Sequence, residues 1–297
     1  MKCDLCPRKC LVDRKKGEKG ICGQTENLKV ARAALHFWEE PCISGDAGSG
    51  AVFFSGCPLH CVFCQNENIA NGTVGKEISL ERLVDIFLEL QEKRANNINL
   101  VTPGHFVPQI VKALDQARKE GLTLPVVYNT SSYETVDTIK MLEGYVDIYL
   151  PDFKYMSPVL SKKYSRAPDY AEVAKVAIAE MVRQTGKAVF VNGDEDNLIL
   201  SGTIVRHLTL PGCMADSMQI VKYLHDTYGD MIYISIMNQF TPLSNLEKYP
   251  ELNRRITDEE YETLVDYAIE IGIENGFIQE GDTAEESFIP AFDCEGV

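Results

Sequence analysis

The sequence predicts an α/β fold built on a parallel sheet, preceded by a small cysteine-rich, metal-binding extension. Three observations lead there. From Ala51 to Gly272, strand-like apolar runs alternate with helix-spaced segments in six β-α repeats, which calls for parallel strands joined by right-handed crossovers. Six repeats are too few to close an eightfold barrel. The loop after the first of these runs, Gly56-Cys57-Pro58-Leu59-His60-Cys61-Val62-Phe63-Cys64-Gln65-Asn66, carries three cysteines spaced C-x3-C-x2-C. A second group, Cys3, Cys6, Cys10 and Cys22, stands ahead of the barrel pattern.

Taken in order, the extension comes first. Residues 1–45 read as a separate unit from residues 46–297, which hold the barrel and a C-terminal tail. Within the extension, Pro7, Gly17, Gly20 and Gly23 supply tight turns between the cysteines, and too little apolar sequence surrounds them to fold alone. Four thiolates on a bound metal would supply the missing stability, and their spacing suits tetrahedral zinc and an iron–sulfur centre equally. Arg8, Lys9, Arg14, Lys15, Lys16 and Lys19 flank the quartet, either holding thiolates ionised or forming a solvated face.

Leu28 to Phe37 reads as an extended apolar segment, and Glu39-Glu40-Pro41 with Gly45, Gly48 and Gly50 forms an approach to the buried strand Ala51–Phe54. Ser79 caps a helix whose face is Leu80, Leu83, Val84, Phe87 and Leu88. Strands are expected at Asn97–Val101, Leu124–Tyr128, Val146–Leu150, Thr203–Leu210 and Ile232–Met237. The helices between and after them begin near Pro108 and at Thr135, Tyr170, Met218 and Asp258, the last opened by a Thr257/Glu260 capping box. Cys42, Cys213 and Cys294 stand alone and read as structural.

With 297 residues, 45% of them hydrophobic, the chain can bury one large core with an appendage. A formal net charge of −15 argues against a general nucleic-acid or anionic-membrane binder. No apolar run spans a membrane and the start lacks an apolar signal core, so a cytoplasmic location is expected. Seven of ten cysteines fall in the two tight groups, which suits a reducing compartment better than a disulfide scaffold.

Three close cysteines can converge on one soft metal centre, yet a protein-closed site takes four ligands. The shortfall points to an iron–sulfur cluster with one iron open to a small molecule. With Phe63 before the last cysteine, the C-x3-C-x-aromatic-C loop resembles the signature of the radical S-adenosylmethionine superfamily. That resemblance implies a [4Fe–4S] cluster on Cys57, Cys61 and Cys64, S-adenosylmethionine on the fourth iron, and an open six-repeat (β/α) partial barrel. It also implies reductive cleavage of the cofactor to a 5′-deoxyadenosyl radical.

Working residues of a parallel barrel sit on loops after the strands. Gly104 and His105 stand where activating enzymes of glycyl-radical proteins have Gly-Gly-Glu, so this sequence departs from that motif. Asn129 and Thr130 match the family's polar loop facing the cofactor. Asp152-Phe153-Lys154 resembles its Asp-x-Lys, and Arg206 with Pro211-Gly212 resembles its Arg-x-x-x-x-Pro-Gly. Gly104, Asn129, Thr130, Asp152, Lys154 and Arg206 are therefore the expected cofactor contacts, and Asn238 to Pro242 is a candidate substrate loop. Overall the chain resembles the pyruvate formate-lyase activating enzyme-like group, with the extra N-terminal quartet. The resemblance implies hydrogen abstraction from a substrate C–H bond, with a glycyl-radical enzyme or peptide as partner and flavodoxin or ferredoxin as electron donor. The alternatives are a radical enzyme acting on a small metabolite or peptide, and a non-catalytic iron–sulfur redox or sensor protein.

Overall fold

A computed structural model describes residues 2–193, 197–242, 246–279 and 290–297. Strand β1 (Lys29–His36) leads through a one-turn helix α1 (Pro41–Ser44) into β2 (Ser49–Phe54). After α2 (Glu67–Ala70) and β3 (Lys76–Glu77) the chain alternates through α3 (Leu80–Glu92), β4 (Ile98–Val101), α4 (Val107–Lys119), β5 (Val126–Thr130), α5 (Val136–Lys140) and β6 (Ile148–Pro151). Two helices, α6 (Pro158–Ser165) and α7 (Tyr170–Thr185), precede the hairpin of β7 (Val189–Phe190) and β8 (Ile199–Leu208). The rest is α8 (Met214–Tyr228), β9 (Tyr233–Met237), α9 (Asp258–Glu270) and β10 (Gly276–Ile278).

The strands form one sheet in the order β10-β9-β8-β6-β5-β4-β2-β1-β3, with β7 attached to β8. Every pairing from β2 to β10 along that path is parallel, whereas β1 runs antiparallel to β2 and β3 antiparallel to β1. The path does not close on itself, which makes this the open parallel barrel expected. The six expected strands are β2, β4, β5, β6, β8 and β9. A seventh parallel strand, β10, escapes periodicity because it is only three residues long. Helix α6 also escaped: Ser157 caps it and Pro158 starts it, but it has only eight residues and a weak apolar face.

Alternation along the strands sorts side chains between the two faces. Val52, Phe54, Leu100 and Tyr128 join Leu83, Phe87, Ile110 and Leu114 of α3 and α4 in an outer core. Val127, Ile148, Leu150, Ile204 and Tyr233 face inward, where Cys42 and Ile43 of α1 pack on them. Helix α1 therefore plugs the end of the lumen where the parallel strands begin. A further core wraps the cluster loop, with Leu59 and Phe63 packed among Tyr155, Tyr164, Ile220 and Leu264. Caps behave as expected: the Ser79 hydroxyl accepts from the Arg82 amide, and Thr257 and Glu260 complete a capping box. Among the described residues no helix is long and apolar enough to cross a membrane.

Candidate active site

The ends of the parallel strands meet around a cavity of about 410 Å³, to which Asn129, Thr130, Asp152, Arg206 and Ser235 bring polar side chains. Cys57, Cys61 and Cys64 all line it, on the loop that leaves β2. That loop is held from several sides. Phe63 is buried edge-on against Tyr155, Tyr164 and Phe240, at centroid distances of 6.3, 6.4 and 6.0 Å. The Val62 amide donates to the Tyr164 carbonyl (2.9 Å), and the Gln65 side chain donates to the Gln239 carbonyl (2.7 Å). Around the sulfurs, the Leu59 amide points at Cys57 Sγ (3.4 Å) and the Ser165 hydroxyl donates to Cys61 Sγ (3.1 Å). Burial pushes the Cys57 thiol up to about 11 and Cys64 higher still, with neighbouring thiols adding to both and Lys154 opposing.

Opposite the cysteines lies a connected set of charges. Asp152 accepts from Lys154 Nζ (2.7 Å) and from Arg206 Nε (3.1 Å). Arg206 also donates to Glu39 Oε2 (2.9 Å) and to Asn129 Oδ1 (2.7 Å). Glu39 Oε1 in turn accepts from Asn99 (3.1 Å) and Asn129 (3.2 Å). Burial alone would raise Asp152, but Lys154 and Arg206 outweigh it and hold the carboxyl below its ordinary value. Burial likewise opposes charge on Lys154, and the attraction of Asp152 restores it. A buried cluster of this kind keeps its charges only while every partner is present.

Asn129, Thr130, Asp152, Lys154 and Arg206 thus share one cavity with the three cysteines. Gly104 does not line it. A Cβ there would run into the buried Glu134 carboxylate, so packing accounts for this glycine, and Thr102 of the same loop reaches the cavity instead. His105 is also outside the lining: it is buried, its Nε2 bonds the Ser55 carbonyl (2.8 Å), and burial lowers its pKa to about 3. Sequence reasoning missed Glu39, Glu40, Ser235 and Gln65 as lining residues. The one available signal was a pair of adjacent acids set in apolar sequence. Three loops at strand ends carry non-glycine residues with left-handed backbone, His60 (φ 52°), Thr102 (φ 56°) and Ser132 (φ 63°), a kind of strain that gathers at working sites.

The N-terminal cysteines lie against this loop. Cys10 and Cys22 Sγ both flank Gly20, and burial raises the Cys6 and Cys22 thiols with the neighbouring thiols adding to it, so the four cysteines lie in one region. Among the described residues, however, no three His, Cys, Asp or Glu side chains are drawn into a metal shell. Arg8, between Cys6 and Cys10, donates to the carbonyls of Pro58 (2.9 Å), Ser165 (2.9 Å) and Arg166 (2.6 Å) and lies over the Tyr133 ring. His60, inside the cluster loop, bonds back to the Ile21 carbonyl through Nε2 (2.8 Å).

Residues 51–193 match the family described as the radical SAM superfamily. That stretch is similar to the radical S-adenosylmethionine domain and takes in the three-cysteine loop and the strand ends up to Lys154. An uncharacterized protein of Methanocaldococcus jannaschii is 28% identical over 272 residues, which cover 90% of this chain and 74% of that one. Among solved structures, Streptococcus suis SuiB bound to S-adenosylmethionine aligns with TM-score 0.52 at 13% identity, over 76% of this chain. The chain spans about half of SuiB, 49% of its length. Methylornithine synthase aligns with TM-score 0.52 at 13% identity, covering 80% of this chain and 66% of that one. At such identities these likenesses show a shared fold alone.

The family implies a [4Fe–4S] cluster and S-adenosylmethionine, and the site fits both. Its donor set is three sulfurs facing a cavity, with Lys154 near enough to stabilise thiolate charge. The Asp152, Lys154, Arg206 and Asn129 groups around the same cavity offer both acceptors and donors to a zwitterionic ligand.

Proposed function

We propose that this chain is a radical enzyme that takes a hydrogen atom from a substrate C–H bond. The observation that carries this reading is the meeting of Cys57, Cys61 and Cys64 with the Asp152–Lys154–Arg206–Asn129 network in one cavity. When bound, the cluster and S-adenosylmethionine supply a 5′-deoxyadenosyl radical. The protein's part is to hold and orient. The three thiolates fix the cluster, Asp152 and Lys154 position the zwitterionic end of the cofactor, and Arg206 holds Asp152 and Asn129 in place. A non-catalytic iron–sulfur protein would need the thiols but not the polar network across from them.

Abstraction from a glycine Cα of a glycyl-radical partner is the activating-enzyme form of this proposal, and it rests on the Asp152-x-Lys154 and Arg206 strand-end likeness. The alternative, a small metabolite or peptide, is favoured by Glu39 and Glu40, which line the cavity but have no place in that likeness. We further propose that the N-terminal quartet binds a metal of its own, from its C-x2-C-x3-C-x11-C spacing and the placing of its four cysteines in one region.

The test is anaerobic reconstitution with a low-potential reductant, following 5′-deoxyadenosine and total metal. Wild type should release 5′-deoxyadenosine and carry metal beyond the four irons of the radical cluster. Cys61→Ala should release none, whereas Cys294→Ala, on a strand-edge contact with Ala31, should behave as wild type. Equal release by wild type and Cys61→Ala refutes the radical reading, and no metal beyond the cluster refutes the second site.

A further inference from the structure

Because β1 runs antiparallel to β2, it delivers Glu39 and Glu40 into the lumen from the end opposite the cluster loop. Glu39 is fully engaged by Arg206, Asn99 and Asn129. Glu40 is not. Its side chain is only 8% exposed, and its Oε2 is buried without a hydrogen-bond partner while lining the cavity. Leaving such an oxygen unmet is costly, and buried polar atoms with a purely structural role are normally partnered. An unmet acceptor in the wall of a ligand cavity is a place for a ligand's donor.

Charge narrows the donor. Among the described lining residues, three carboxylates (Glu39, Glu40 and Asp152) face two cations (Lys154 and Arg206), which leaves one negative charge in excess. Both cations are already committed, Lys154 to Asp152, and Arg206 to Asp152, Glu39 and Asn129. His36, the remaining titratable group of this wall, is kept neutral by burial, which lowers its pKa to about 4. Burial raises Glu40 above its ordinary value, with Arg206 opposing and Glu39 adding to it, so a cation brought beside it would stabilise the ionised carboxylate that burial disfavours. Trp38, Phe53 and Phe277 add aromatic surface to the same cavity, a surface favourable to cations.

We propose that Glu40 recognises the substrate and that the substrate carries an ammonium or guanidinium group, seated at the plugged end of the lumen. The seat deepens the radical reading by naming its substrate class and rests on that reading for what happens next, but the binding itself stands on Glu40. An amino-acid-like metabolite and a lysine or arginine side chain of a peptide share this chemistry.

Trp38 is the only tryptophan in the chain and lines the cavity, so its emission reports occupancy without turnover. The full-length reconstituted protein is titrated with L-lysine and L-arginine against the near-isosteric norleucine and citrulline. A parallel arm uses acetyl-Gly-Lys-Gly-amide and its norleucine counterpart. The cationic member of at least one arm should saturate, and the arm that does so identifies metabolite or peptide. Glu40→Gln should weaken that binding about tenfold or more, as loss of a charge-assisted contact requires, while leaving the neutral probes unaffected. Glu40→Asp, which keeps the charge but draws it back by one methylene, should also weaken the cationic probes and serves if Glu40→Gln fails to fold. Equal binding of charged and neutral probes, or no change in either variant, overturns the proposal. Release of 5′-deoxyadenosine is measured on the same sample: cation binding without cleavage refutes the radical reading and spares the seat, and cleavage without cation selectivity refutes the seat alone.

Discussion

Gly56, the residue before the first cluster cysteine, offers a sharp test of how the N-terminal module bears on the site. Its φ is +93°, and a Cβ built there would lie 2.5 Å from the Cys22 carbonyl oxygen and 2.6 Å from Gln24 Cγ. Gly56→Ala therefore incurs two costs. Left-handed backbone costs a non-glycine residue roughly 1–3 kcal/mol, and overpacking against a backbone oxygen adds about 1–3 kcal/mol. Gly121 isolates the first cost, because its φ is +106° and nothing lies within 4 Å of the same virtual atom. Urea unfolding under anaerobic conditions should thus show Gly56→Ala less stable than Gly121→Ala by about 1–3 kcal/mol. The clash can be relieved only by moving Cys22 or the start of the cluster loop, so Gly56→Ala should also retain less iron after reconstitution, and Gly121→Ala should not. Equal destabilisation and equal iron in the two variants would refute the docking of Cys22 on the cluster loop.

Two further outcomes follow from the same coordinates. Asp152→Asn removes the carboxylate shared by Lys154 and Arg206, so unfolding should show a loss of about 3–5 kcal/mol, and equilibrium dialysis should show weaker S-adenosylmethionine binding; unchanged stability would mean the triad is not closed in solution. His207 is buried neutral, donating from Nδ1 to the Phe153 carbonyl (2.8 Å) and accepting at Nε2 from Ser217 (2.9 Å), and burial lowers its pKa to about 4. Its unfolded value is about 6.5, so its contribution is intact above that pH and about 3 kcal/mol is lost as pH falls from 6.5 through 4. His207→Gln should flatten that part of the urea midpoint against pH, and an unaltered profile would contradict the burial.

What could be read from the sequence was set by how local each signal is. Cys57, Cys61, Phe63 and Cys64 form their arrangement within one loop, so spacing alone carries it. Asn129, Thr130, Asp152, Lys154 and Arg206 are distant in sequence, yet each follows or ends a parallel strand. The rule that such ends converge was enough to bring them together. Gly104 shows the limit of reading by motif, since a glycine demanded by the Glu134 carboxylate looks the same in sequence as one that faces a cofactor.

Glu39 and Glu40 failed for a different reason. No strand-end rule points to them, because they arrive on an antiparallel strand at the opposite end of the lumen, and only the pairing of β1 with β2 reveals this. Arg8 failed likewise: within a run of basic residues it reads either as a counter-charge to thiolates or as a solvated face, whereas folding directs its guanidinium to barrel carbonyls at Pro58, Ser165 and Arg166. Both cases concern charged residues whose partners lie dozens of positions away, and a charge without a visible partner is by default assigned to solvent. The two hidden groups bear on different ends of one cavity. Arg8 braces the loop that carries the thiols, and Glu40 leaves an unmet oxygen at the plugged end. What the parallel-strand rule exposes is the set of residues at the strand ends, while the residues that would distinguish a substrate of the proposed reaction enter from outside that rule.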